Sequence, residues 1–266
     1  YALLHDEHRI RRWRIGRPDK LRKFTRDDVV RFYRNFYTPS NTVLSIAGDV
    51  DPETTIERVK QLYGALPAGV PTRTPGPREP SHSGLRYCEL SGDIEQTHVE
   101  IGWTSVPSLH PDVPALDLAA AVLGSGRASR LYRAVRDRKL AGNVGAYNYS
   151  PSEVGVFVVS SEGDPATAVA AARTMWAQIA ALRAGEVSAD EIDRAKQLFM
   201  SRWARHLEST EGQAAYMAEW ESLGGWAKGQ QYYDAFMSTD AAAVVSVVRR
   251  YLLEDTAAAV VYRARS

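Results

Sequence analysis

The alternation of apolar and polar residues first becomes regular at residue 25. Val29, Val30, Phe32, Tyr33 and Phe36 form a stripe at helical spacing behind Thr25, and Asp27 and Asp28 place acids in the first turn. Tyr37-Thr38-Pro39 ends this helix, because the residue before a proline is pushed out of the α region. The apolar run over residues 41–49 reads as a buried strand. Asp51-Pro52 opens a second helix, with proline at a first-turn position and Ile56, Val59, Leu62 and Tyr63 facing inward.

Residues 67–84 break the pattern with five prolines, which forbid regular structure and predict an extended, stiff linker. Beyond it, residues 86–90 and 97–104 alternate as strands. Residues 114–123 are helical, Gly124-Ser125-Gly126 interrupts them, and a helix resumes over 129–139. Residues 143–149 and 154–160 read as strands joined by a turn at 150–153. Asp164-Pro165 starts a long helix to Ala184, and Ser188-Ala-Asp-Glu191 is a capping box for another that passes His206. Further helices cover 211–223 and 240–251, and a final apolar strand covers 256–262. No short repeat argues for a solenoid. Strands followed by helices predict an α+β fold with helices on one face of a sheet.

Composition adds little direction. A chain of 266 residues with 44% hydrophobic and 24% charged residues is an ordinary globular sequence, and a formal net charge of +1 sets up no field toward nucleic acid or membrane. The single cysteine, Cys88, excludes an intrachain disulfide and a thiolate metal cluster, and reads as a small buried hydrophobe. No apolar stretch approaches the ~20 residues that span a bilayer. The compartment stays open between cytoplasm and periplasm. The first residues hold no Met and no signal-peptide layout, and read as the cut end of a longer or processed chain.

Candidate chemistry is sparse. Gly124, Ser125, Gly126 and Arg127 lie between two helices, which rules against a nucleotide loop; they read as a helix–helix connection needing positive φ, or as a mobile loop that touches peptide. Arg127, Arg130, Arg133, Arg136 and Arg138 follow at helical spacing. Their guanidinium groups suit a peptide carbonyl or terminal carboxylate, or pairing with Asp137 or another acid. His98 and Glu100 share a strand face and read as a cross-strand polar pair, since a metal needs a third ligand. His5 and His8 form a weak metal candidate. Eight Lys and Arg between residues 9 and 23, with Trp13 among them, read as a solvated or partner-facing edge, without any nucleic-acid motif beside them.

Three ordered blocks carry a resemblance. The first comprises Ile15-Gly16, residues 24–41, Leu44 to Asp49 and residues 62–67; the second is the run from Asp112 to Arg136; the third is residues 187–196 with 207–210. Together they resemble the insulinase/pitrilysin-like zinc metallopeptidases, the inverzincins, whose members include the mitochondrial processing peptidase subunits. The resemblance implies duplicated α+β domains with a mixed or antiparallel sheet and helices on one face, closing like a clamshell around unfolded peptides. It implies zinc held by two histidines and a glutamate, and a second glutamate as base, drawn from H-x-x-E-H and a later acid. That motif is absent from the 266 residues, so no catalytic or metal residue is assigned here. By the same resemblance residues 1–66 are the closing third of a truncated first domain, 67–84 the linker and 85–266 a complete second domain. Zinc belongs to the parent protein. Gly124 to Arg127 match the family's glycine-rich substrate loop, in a shorter form. Arg136 matches an arginine that the half lacking zinc uses on substrate, while the tyrosine expected seven residues later is Asn143.

The expectation is therefore the substrate-chamber-forming part of a bacterial-type zinc metalloendopeptidase, inactive alone. The substrate-binding candidates are Gly124, Ser125, Gly126, Arg127, Arg130 and Arg136. The expected partners are a peptide, the missing catalytic segment or a second family subunit, and a further copy of the chain through residues 1–66, with no nucleic acid. The alternative is a non-catalytic structural subunit that pairs with a zinc-bearing peptidase.

Overall fold

The computed structural model describes residues 1–70 and 74–265, so Pro71, Thr72 and Arg73 of the linker lie outside the described residues, as does Ser266. Two compact units are present. One comprises residues 1–12, 76–202 and 231–266; the other comprises residues 13–75 and 203–230.

The larger unit is built on a five-stranded mixed sheet in the order β1-β5-β2-β4-β3. Its strands are β1 (Arg86–Gly92), β2 (Thr97–Ser105), β3 (Asn143–Tyr149), β4 (Gly155–Gly163) and β5 (Ala257–Ala264). β1 runs parallel to β5, while the β5–β2, β2–β4 and β4–β3 pairs are antiparallel. Alternation along β2 and β4 sends Val99, Ile101, Trp103, Phe157 and Val159 to one face, where helices cover them. The helices α4 (Val113–Gly124), α5 (Ala168–Ala184) and α9 (Ala241–Tyr251) supply Leu116, Leu123, Met175, Leu182, Val244 and Val248 to this core. Trp103 is fully buried, donates from its indole Nε1–H to the Leu253 carbonyl at 2.8 Å, and meets Trp176 edge-on at 5.5 Å. The fold is thus α+β with helices on one face, as the chain order of strands and helices predicts.

The opposite face presents Val156, Val158 and Ala258. Leu4 covers part of it, packed on these three residues. Glu79 holds that N-terminal segment by accepting the backbone N–H groups of Asp6, Glu7 and His8. Arg86 donates to the Leu3 carbonyl at 3.0 Å and to Asp6.

α6 (Ala189–Glu208) starts at Ser188, whose side chain caps Glu191 N–H while Glu191 reaches back to the Ser188 N–H at 3.0 Å. The long helix α5 begins at Ala168, three residues after Pro165, because Asp164 first closes a turn onto Ala166 and Thr167. It ends at Gly185, in the left-handed conformation at φ +96°. The helix expected over 129–139 is a π-helical turn at Tyr132–Arg136, with Asp137 N–H donating five residues back to the Tyr132 carbonyl. A further helix, α8 (Lys228–Ser238), had no counterpart in the sequence pattern.

The smaller unit contains α1 (Pro18–Leu21), α2 (Arg26–Phe36), α3 (Pro52–Tyr63) and α7 (Thr210–Ser222). Thr25 and Asp28 form a complete capping box on α2, and Asp51 caps α3 through the Thr54 N–H at 2.8 Å. The strand expected over 41–49 is not formed. The segment after Asn41 pairs with no strand among the described residues, and Val43, Leu44 and Ile46 stay exposed. The inward stripes expected on α2 and α3 also face solvent: Phe32, Tyr33, Ile56, Leu62 and Tyr63 are each more than half exposed. An amphipathic stripe states what a helix face must cover, and among the described residues nothing covers these.

Candidate functional site

The glycine-rich loop closes α4 against β3. A Cβ on Gly124 would lie 2.4 Å from the backbone nitrogen of Ala146, so only glycine permits this approach. Gly126 sits at φ +78°, where L side chains are strained. The loop is therefore shaped by both glycines, which satisfies the helix–helix reading and also fixes where Ser125 and Arg127 go.

Ser125 lines a cleft of about 190 Å³ whose other walls come from β3, α4, α6 and α8. Asp117 lies in this cleft. As a residue it is only half-buried, but its carboxyl group is desolvated, which pushes its pKa up to about 6. Two donors oppose that rise: Tyr232 OH at 2.6 Å to Oδ2 and Asn148 Nδ2 at 2.8 Å to Oδ1. Asn148 also donates to Ser150 Oγ at 3.0 Å and accepts from Ser105 Oγ at 2.7 Å. Burial, with the neighbouring carboxylate, drives the Tyr232 hydroxyl well above the ordinary tyrosine range, so it stays a donor. Phe199, Tyr232 and Phe236 form an aromatic cluster here, with Phe199 and Phe236 stacked at 3.9 Å. None of the cleft's polar residues except Ser125 stood out in the sequence. The signal for Asp117 was available: it is the one charged residue inside α4.

The arginine candidates separate. Arg127 is exposed at the loop. Arg130 is engaged: its Nε and Nη2 donate to the two carboxylate oxygens of Glu191 at 2.6 and 2.8 Å, and it also donates to the Glu186 carbonyl. That fork holds the Glu191 carboxyl below its ordinary range. Arg136, at the end of the π-helical turn, is exposed and lies 5.1 Å over the Tyr132 ring.

His5 and His8 each contact protein groups. His5 is fully buried and its Nδ1 contacts the Tyr1 carbonyl at 3.1 Å. His8 receives the Ile10 N–H at Nδ1, which leaves Nε2–H to donate to Glu153 at 3.0 Å. Arg9 and the Gly76 N–H complete the shell of Glu153 and, with Arg9 as the main cause, hold its carboxyl down at about 2. The zinc that the sequence resemblance implies has no matching ligand set here. Among the described residues no three His, Cys, Asp or Glu side chains gather closely enough to hold a metal ion. His98 faces Glu162 across β2–β4 at 3.9 Å, a cross-strand pair formed with a different acid from Glu100. Cys88 is half-buried on the edge strand β1 and not a core residue. The eight basic residues of 9–23 divide between the two units, three in the larger and five in the smaller. No helix among the described residues is long and apolar enough to cross a membrane.

Comparison with known proteins gives one consistent family. The profile described as "Peptidase M16 inactive domain" matches residues 23–199. Zinc protease PqqE of Helicobacter pylori is 26% identical over 93% of this chain and 57% of its own length. A crystal structure of a protease from Helicobacter pylori superposes with a TM-score of 0.89 at 24% identity, covering 97% of this chain and 64% of that one. The peptidase M16 inactive domain from Pseudomonas fluorescens superposes with a TM-score of 0.80 at 17% identity, over 100% of this chain and 63% of that chain. The chain spans about three-fifths of the length of the curated relatives it matches.

Proposed function

Since the chain belongs to the peptidase M16 family, we propose that it is the non-catalytic, substrate-shaping part of a zinc-dependent endopeptidase. The observation that carries this reading is the match of residues 23–199 to the inactive domain. The absence of H-x-x-E-H from the sequence supports it. Peptide bonds would be cut at zinc held elsewhere in the whole protein or its assembly, and this chain would bind and orient the peptide. The loop from Gly124 to Arg127, with Arg136, would meet an unfolded peptide: Gly126 leaves the loop backbone without a Cβ, and the two exposed guanidinium groups suit peptide carbonyls. Arg130 would act at one remove, by fixing the loop against α6 through Glu191.

A photo-cross-linker placed at Ser125→Cys in a Cys88→Ser background tests this. An unfolded fluorescent peptide should be captured saturably there, and unlabelled peptide should compete. Capture no greater than from a probe at Arg194→Cys, on the exposed side of α6, would overturn the reading.

A second reading, a structural subunit paired with a zinc-bearing peptidase, is favoured by the exposed apolar side chains of the smaller unit. Phe24, Phe32, Tyr33, Ile56 and Leu62 are each more than half exposed, apolar surface that a partner would cover. The same surface supports self-association through residues 1–66. Sedimentation across a concentration series tests it, and a constant monomeric mass would contradict it.

A further inference from the structure

The Asp117 carboxyl is a titratable group that the reading above does not use. Its two oxygens each accept one neutral donor, from Asn148 and Tyr232, and each retains a lone pair. Among the described residues no Lys, Arg or His forms an ion pair with it. Arg202 lines the same cleft without pairing to it; a desolvated carboxylate whose hydrogen-bond partners are neutral is costly, and a cation that enters beside it removes that cost. The cleft has room for one. At about 30 Å³ for each water-sized group, 190 Å³ holds roughly six non-hydrogen atoms. Phe199, Tyr232 and Phe236 line it, and aromatic faces attract an alkylammonium while burying its methylenes. Ser125 Oγ adds a further acceptor among the lining residues.

We propose that this cleft is a binding site for a primary alkylammonium group, held by the Asp117 carboxylate with Ser125 and the aromatic residues around it. The ligand chemistry is that of a lysine side chain or a small free amine. The inference rests on the cleft alone and stands whether or not the chain handles peptides for a peptidase.

The pH response follows from the groups that face Asp117. Tyr147 on β3 and Arg202 on α6 also line the cleft, Tyr232 on α8 is held protonated well above the ordinary tyrosine range, and α4 supplies no other titratable group. Binding therefore follows Asp117 itself, whose carboxyl titrates at about 6.

The test is calorimetric or NMR titration of the chain with n-butylammonium chloride, N-acetyl-lysine methylamide and, as a neutral control, 1-butanol. At pH 7.5 at least one amine should bind saturably at one site and 1-butanol should not. Whichever amine binds more tightly identifies the source. Apparent affinity should fall about tenfold between pH 7 and pH 5 as Asp117 takes up its proton. Asp117→Asn, near-isosteric and able to accept from Tyr232, should abolish binding while the circular dichroism spectrum is kept. If that variant fails to fold, Ser125→Phe, which fills the cleft from the loop, should abolish it instead. Absence of saturable amine binding by the folded chain would overturn the proposal. So would equal binding of 1-butanol, or binding that survives Asp117→Asn.

Discussion

Arg130 grips Glu191 through two parallel hydrogen bonds of 2.6 and 2.8 Å, and the same Glu191 accepts the Ser188 N–H that starts α6. One carboxylate thus joins the chain after the glycine-rich loop to the first turn of α6. The side chains are 11% and 21% exposed, so the pair is screened far less than a surface pair. Replacing Arg130 by Met should cost roughly 2 kcal/mol in urea unfolding at pH 7, since it strips the fork and leaves Glu191 facing an apolar chain. Glu191 is depressed in the folded state, so the stability it contributes is present above its unfolded pKa and fades as pH falls below it. The gap between variant and parent should narrow toward pH 3. A difference below about 0.5 kcal/mol at pH 7 would show that the Arg130–Glu191 pair contributes little to folding.

The two loop glycines are required for different reasons and should fail by different amounts. Gly126→Ala meets only the Leu198 side chain, at 3.2 Å, and pays chiefly for φ +78°, roughly 1 kcal/mol. Gly124→Ala drives a methyl into the Ala146 backbone and should cost more than 2 kcal/mol. Chemical denaturation of both variants orders them, and a milder Gly124→Ala would show that α4 does not need its close approach to β3.

Asp117 bears on stability with the opposite sign to Glu191. Its folded pKa, about 6, lies above the ordinary value of 3.8, so the folded state binds the extra proton in that window. Its contribution is fully present below the unfolded pKa and is lost as pH rises through about 6, at most about 3 kcal/mol. Asp117→Asn should therefore match the parent near pH 4 and exceed it in Tm at pH 7.5. A Tm lower than the parent at both pH values would mean the carboxylate's hydrogen bonds outweigh its desolvation.

His5 should make the N-terminal segment acid-sensitive. Burial lowers its pKa, against the raising effects of the Tyr1 carbonyl and the Glu79 carboxylate. A depressed folded pKa contributes stability above the unfolded pKa, near 6.5, that is lost as pH falls through the folded one. Hydrogen exchange at residues 3–10, corrected for intrinsic rates, should accelerate from pH 7 to pH 5 in the parent and much less in His5→Phe. Equal acceleration in both would remove His5 from the explanation.

The legible parts of the fold were the local ones. Ser188 and Glu191 form the capping box as read, and Thr25 starts its helix ahead of Asp27 and Asp28 as read, while the reciprocal Thr25–Asp28 box is added by the structure. The run at 41–49 failed because a strand depends on a partner that its own sequence does not specify. The helix at 228–238 was hidden by Gly224, Gly225 and Gly229, and by tyrosines that pack their rings while scoring as half polar. The π-helical turn differs from α-helix by one residue in one hydrogen-bond ring, which no periodicity resolves. The loop was legible from its glycines. The cleft was not, because Asp117 finds Asn148 and Tyr232 at separations of 31 and 115 residues.

The role proposed for this chain is to handle peptide without cutting it. The most direct measurement is a combined assay with an unfolded, doubly labelled peptide, reading anisotropy for binding and dequenching for cleavage. It is run with added zinc, with and without 1,10-phenanthroline. Saturable binding without chelator-sensitive cleavage is expected. Chelator-sensitive turnover of the peptide by this chain would contradict it.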